Sequence, residues 1–444
     1  MTRNRQAAFA DRGELVEAVR LASHELIGAE SLDPLLDRIG DARFVLLGEA
    51  SHGTSEYYTW RARISQRLIR EKGFSFIAVE GDWPDCYAVN RYVKGYGGAG
   101  KSAREVLGTF ERWPTWMWAN WEVVALAEWL RQHNDMLPGE RKVGFYGLDV
   151  YSLWESLASV MTYLERTDPD AHETARRAYR CFEPYSEDPQ DYARATAFVS
   201  ASCEQEVISL LGELRRNAQG YPDDLEARFD AEQNARAVVG AERYYRAMVR
   251  GGPESWNVRD RHMVETLDNL MAHHGPKAKA IVWEHNTHIG DARATDMAED
   301  GMVNVGQLVR EQRSEDGVVL VGFGSYRGGV IAGSSWGAPM TRMQVPEAKK
   351  ESWEDVFHQA GRRNALLLTD KLAHNTTAFD RRGHRAIGVV YRPAYESRGN
   401  YVPTVLPERY DAFLYLEETE ALHPLDLKPH SDRPGLPDTY PWGL

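Results

Sequence analysis

The feature that most constrains this chain is a set of short, almost wholly apolar runs spaced between amphipathic stretches. The runs are Arg43–Leu47, Ser75–Val79, Val143–Leu148, Ala278–Trp283, Val318–Phe323, Ala365–Thr369, Ile387–Tyr391 and Ala412–Leu416. Runs without polar alternation fit strands buried on both faces, the condition of a parallel sheet covered by helices. The expected fold is therefore α/β, with a mostly parallel central sheet flanked by helices. From Trp154 to about Gly275 no strand signal appears, and the charged stretches around Ala195–Asn217 and Leu225–Val249, separated by a turn at Gly220–Asp224, read as amphipathic helices. This predicts an inserted all-helical lobe. The expected organisation is a core in two parts, 1–153 and 276–422, a lobe over 154–275, and an extended tail over 423–444.

Several runs end in polar clusters: GEASHG, EGDWPD, GLDVYS, EHNTHIGD and GFGSYRGG. In open α/β sheets ligands bind beyond the carboxyl ends of the strands, so residues remote in sequence can meet at one rim. Glu49 with His52 after the first run, and His285 with His288 after the fourth, form the main candidate constellation. An imidazole titrates near neutrality, and a neighbouring carboxylate orients and polarises it as a base. Glu80 and Asp149 add acids from two further strand ends. Arg61, on a helix that Thr54 or Ser55 would cap, adds a cation, and Glu80 is expected to hold it. A base, orienting acids and a cation are what water-mediated ester hydrolysis requires. Trp116 and Trp118 are candidate apolar cover for a substrate.

Other readings of the same chain stay open. Glu49, His52, His285 and His288 would also serve as zinc ligands with an open position for water. A non-catalytic pocket would use the histidines only to hold a small molecule or haem. Gly333-Ser334-Ser335-Trp336-Gly337 matches the nucleophile elbow of serine hydrolases, with Asp355, Asp370, His358 and His374 downstream, although Pro339 falls where a helix should propagate. Gly95–Ser102, GYGGAGKS, matches a phosphate loop containing Lys101, but the preceding Pro84–Lys94 has helical rather than strand spacing.

Charge and composition narrow the partners. A net charge of -13 argues against a sequence-independent grip on nucleic acid or anionic lipid. No apolar run approaches a membrane span, and the opening residues carry no signal-peptide core, so a cytoplasmic protein is expected. Cys86, Cys181 and Cys203 include no close pair and are expected to be buried free thiols.

With Gly48-Glu49-Ala50-Ser51-His52-Gly53, Glu80-Gly81-Asp82-Trp83-Pro84, Trp116-Met117-Trp118, Gly147–Ser152, Trp256–Met263, His285-Asn286-Thr287-His288 and Tyr410–Phe413 in order, the sequence resembles the erythromycin esterase family. The resemblance spans about residues 30 to 425. It implies hydrolysis of a macrolide lactone or related ester by an activated water. It also implies a general base at His52 supported by Glu49, with Arg61, Glu80, His285 and His288 as the remaining polar site residues. No cofactor is expected, with zinc as the alternative.

Overall fold

The computed structural model describes residues 13–185, 189–198, 202–217 and 225–426. Eleven strands are formed among the described residues, in chain order β1 (Ser23–Glu25), β2 (Phe44–Leu47), β3 (Phe76–Asp82), β4 (Gly144–Asp149), β5 (Ala280–Trp283), β6 (Val318–Ala332), β7 (Thr341–Val345), β8 (Asn364–Leu368), β9 (Arg382–Arg385), β10 (Tyr401–Thr404) and β11 (Ala412–Thr419). Nine make one sheet in the order β1-β8-β11-β6-β2-β5-β3-β4, with β7 paired to β6. The six strands from β11 to β4 run parallel, whereas β8 and β1 pair antiparallel at one end. The sheet is thus mostly parallel, as the uninterrupted apolar runs predict.

Alternation within those runs feeds two cores. Val45 and Leu47 face one apolar cluster, and Phe44 and Leu46 face the other. At roughly 1.5–3 kcal/mol per buried large apolar side chain, this two-sided burial is what makes the central strands the rigid part of the molecule. Helices Ser55–Lys72 and Trp121–Asp135 contribute to the first cluster, and Glu254–His274 contributes to the second.

Several expectations are corrected. Ile387–Tyr391 is not a strand of the sheet and makes only isolated bridges, Ser51 with Ile387 and Gly333 with Val390. The strands β1, β7, β9 and β10 are additional. Their Arg, Gln, Gly and His residues mask the period-two signal, and β9 with β10 forms a separate antiparallel hairpin.

The inserted lobe comprises Leu153–Thr167, Pro169–Phe182, Pro189–Phe198, Glu204–Asn217, Leu225–Met248 and Glu254–His274. It has its own apolar core, joined to the sheet through Val150 and Tyr151 at the end of β4. Within it Cys181 and Cys203 form a disulfide, contrary to the expected free thiols, while Cys86 is free and buried. Packing of Pro169–Phe182 against Glu204–Asn217 brings the two cysteine Cα atoms to 5.8 Å despite a sequence separation of 22. The expected turn at 220–224, and the expected tail beyond residue 426, lie outside the described residues.

Neither competing motif has the surroundings its chemistry needs. Gly95–Ser102 joins helix Trp83–Lys94 to the five-residue helix Ala103–Leu107, and no strand feeds it. The Gly333–Gly337 turn links β6 to β7, strand to strand, and leaves Ser335 exposed. Of its supposed partners, His358 instead bonds Glu417 and stacks on Tyr326.

Candidate active site

The order β2-β5-β3-β4 sets the carboxyl ends of four parallel strands side by side, and each delivers polar residues to the same rim. The turn after β2 is tight because Gly48 abuts the His285–Asn286 turn. A Cβ on Gly48 would lie 2.1 Å from Asn286 Oδ1. Gly53 is pressed as closely against Ile331 of β6, at 1.9 Å for a built Cβ. These two glycines let the Glu49–His52 turn sit directly beside the His285 turn, and the rings of His52 and His285 are 5.0 Å apart.

His52 is 3% exposed and lies on the wall of a cleft of about 620 Å³ including its open mouth. Its Nδ1 bonds Glu49 Oε1 at 2.8 Å. With the carboxylate accepting there, the proton is on Nδ1 and Nε2 is left as the basic nitrogen. Burial disfavours the imidazolium, but the carboxylates of Glu80 and Glu49 outweigh burial and the nearby Arg259, so the His52 pKa is raised above its ordinary value.

His285 is different. Its Nδ1 accepts the Thr287 backbone N–H at 3.3 Å and sits 2.8 Å from the Thr287 hydroxyl. The proton of the neutral ring is therefore on Nε2, and that buried atom has no partner among the described residues. Burial first, and the neighbouring His52 second, push its pKa well below the usual value. Two adjacent imidazoles are thus pushed in opposite directions, the pattern that separates a base from a neutral hydrogen-bond donor.

The remaining expected residues are placed as follows. Arg61 is fully buried behind the turn, bonds Glu49 Oε2, and lies between the rings of Tyr58 and Trp283 at 4.4 and 4.7 Å. It holds Glu49 and does not line the cleft or meet Glu80. Its helix does start at Ser55 with Thr54 as the N-cap residue, but the Thr54 hydroxyl bonds Ser51 in place of a backbone N–H. The expected Glu80–Arg61 pair is replaced. Glu80 Oε1 accepts from Arg259 Nη2 at 2.7 Å, and Oε2 accepts from the His285 backbone N–H at 2.8 Å. Burial would raise the Glu80 carboxyl, yet His288, Arg259 and His52 hold it well below the carboxylate range.

His288 does not reach the cleft. Its Nδ1 bonds Asp260, its Nε2 accepts from Arg259 at 3.0 Å, and its ring stacks on Trp256. Asp149 lines the cleft and takes both Nε and Nη2 of Arg259, at 2.9 and 2.7 Å. Trp118 also lines it, anchored by Nε1 to the Glu80 carbonyl at 3.0 Å, whereas Trp116 is packed into the core. Tyr58 ties these parts together, its hydroxyl lying 2.9 Å from the backbone oxygens of both His52 and Met117.

Arg259 is the principal residue that site reasoning from sequence overlooked. One guanidinium on the lobe's last helix bridges Glu80, Asp149 and His288 and faces Tyr151. The same turn supplies Asp260 and Trp256 to His288, so Trp256–Met263 is the segment in which the signal lay. Arg112, bonded to Asp82, adds a second cation to the cleft. Glu284, between Trp283 and His285, is fully buried with neither carboxylate oxygen partnered among the described residues, and burial raises its pKa well above the usual value.

As a metal site the cluster is compromised by its own bonds. Both nitrogens of His288 are engaged, and no group of three or more His, Cys, Asp or Glu side chains among the described residues is arranged to hold an ion. No described helix is long and apolar enough to cross a membrane.

Comparison with known proteins gives concordant matches. The model of the erythromycin esterase family matches residues 69–419. An Escherichia coli protein, erythromycin esterase type II, is 22% identical over 376 residues, which is 76% of this chain and 83% of that protein. Among solved structures, a succinoglycan biosynthesis protein superposes with a TM-score of 0.76 at 21% identity, over 93% of this chain and 98% of its own. A histidine-to-asparagine variant of the erythromycin esterase EreC, in its open conformation, gives 0.65 at 18% identity, over 89% and 95%. At these identities the structural matches concern the fold.

Proposed function

The chain belongs to the erythromycin esterase family, a hydrolase of the esterase type acting on a small molecule, and on that premise we propose that it cleaves a carboxylic ester or macrolide-type lactone through a water activated by His52. The observation that carries this reading is the Glu49–His52 bond, which orients Nε2 as the free base at the cleft wall. Nε2 takes a proton from water as the water attacks the carbonyl carbon, and returns it to the leaving alkoxide. Glu49 stabilises the imidazolium in between, and Arg61 fixes Glu49. His285, neutral and with an Nε2–H unpartnered among the described residues, is the donor for the developing oxyanion, and loss of one such donor costs about 10²–10³ in kcat. Arg259 holds Glu80 and Asp149 ionised beneath the site. Trp118 and Tyr151 give apolar cover.

The test is hydrolysis of aryl esters and macrolide lactones in ¹⁸O-labelled water. Turnover with label in the acid product is expected, and saturable binding without turnover of any ester contradicts the reading. In the same assay Ser335→Ala is expected to retain wild-type kcat/KM, because Ser335 is on an exposed strand-to-strand turn. A loss of more than about tenfold, roughly 1.4 kcal/mol of barrier, would restore the serine mechanism. Exhaustive treatment with a chelator is expected to leave activity intact. Loss that zinc reverses would make His52 and His285 ligands rather than base and donor.

A further inference from the structure

A second cleft opens in the helical lobe, where helix Glu254–His274 contributes Val258, Arg261, His262 and Glu265. It encloses about 670 Å³ including its mouth, between Glu204–Asn217, Leu225–Met248 and Glu254–His274. Its walls carry Arg236, Arg243 and Arg261 against one acid, Glu265, and its apolar surfaces are Leu211, Val239 and Val258. Arg236 is held by Glu232 at 2.7 Å. Arg243 and Arg261 are exposed and have no ion-pair or hydrogen-bond partner among the described residues. A cationic cleft over apolar walls stands out in a chain of net charge -13.

The floor is a buried imidazole. His262, 8% exposed, packs against Gly240 so closely that a Cβ there would lie 2.5 Å from Nδ1, and it adjoins the Asp149 backbone. Two free guanidiniums beside a fixed imidazole offer several N–H donors and no competing carboxylate except Glu265. Guanidinium forks pair with tetrahedral oxyanions through parallel charge-assisted hydrogen bonds. We propose that this cleft is a second, non-catalytic binding site for a small phosphate monoester, its phosphoryl group on Arg243 and Arg261 and its organic group on Val239 and Val258. The site is independent of the esterase chemistry, although Arg261 and His262 follow Arg259 and Asp260 directly, so one helical turn serves both clefts.

Isothermal titration of the full chain with phenyl phosphate, benzoate and sodium chloride at constant ionic strength tests this. Saturable binding of phenyl phosphate is expected, tighter than benzoate because the dianion engages both arginines. It should weaken at least about tenfold in Arg243→Gln/Arg261→Gln, since each charge-assisted bond lost exceeds one decade in affinity. Both positions are exposed, so the variant should keep the wild-type melting temperature, and Arg243→Gln alone provides a milder control. No saturable binding, binding of benzoate as tight as of phenyl phosphate, or affinity unchanged in the folded double variant overturns the proposal, the last by placing the ligand in the catalytic cleft.

Discussion

His52→Ala lowers kcat/KM for ester hydrolysis by about 10²–10⁴, the usual yield of general-base assistance, while the melting temperature changes little. The two halves of that expectation have separate physical grounds. Removing the imidazole removes a basic nitrogen held at the cleft wall by a carboxylate. It does not orphan that carboxylate, because Glu49 keeps Arg61 on its other oxygen. The side chain borders an open cleft, so water occupies the vacated space and the cavity penalty is small. Steady-state kinetics and thermal unfolding on one preparation separate the two effects. Undiminished turnover in a folded His52→Ala protein removes His52 from the mechanism.

Arg259→Met destabilises the protein by about 3–5 kcal/mol at neutral pH and abolishes measurable turnover. Arg259 is the shared counter-ion of two buried carboxylates, and methionine matches its length without its charge. Asp149 loses its paired cation, Glu80 loses one of the charges that hold it ionised, and His288 loses the donor on Nε2. Burial raises both carboxyls, but in the wild type charge pairing wins and both pKa values are depressed. A depressed carboxyl contributes stability that is present above its unfolded pKa, about 4, and is lost as the pH falls through the folded value. The stability gap between wild type and Arg259→Met therefore narrows as the pH falls, and begins to do so above pH 4, because burial without the guanidinium raises the variant's carboxyls. Chemical denaturation across that range measures it. A gap that widens in acid would assign the loss to packing rather than to the unpaired carboxylates.

What the sequence makes legible follows from where the signal is local. β2, β3, β4 and β5 read as apolar runs because both faces are covered, and Glu49 with His52 falls within one turn. β7 is hidden because its apolar face is only Met343 and Val345, set among the exposed Thr341, Arg342 and Gln344. Arg259 is hidden for a related reason. On a charged amphipathic helix an arginine looks solvated, and only the packing of Glu254–His274 against β4 turns it inward. Arg61 shows the converse. Its spacing from His52 fits a residue facing the rim, but the helix carries its guanidinium under the turn to the far oxygen of Glu49. Trp116 and Trp118 are identical in sequence terms, and one is core while the other is cleft wall. Cys181 and Cys203 meet only because two helices fold back on each other.

The central claim is that adjacent imidazoles divide the labour, His52 as the base and His285 as a neutral donor. Nitrogen NMR of histidine-labelled protein, with His52→Ala and His285→Ala used to assign the signals, reads both tautomer and titration. The account predicts that His52 carries its proton on Nδ1 and titrates above pH 6.5, while His285 carries its proton on Nε2 and stays neutral well below that pH. Titration in the reverse order, or a neutral His52 protonated on Nε2, would contradict it.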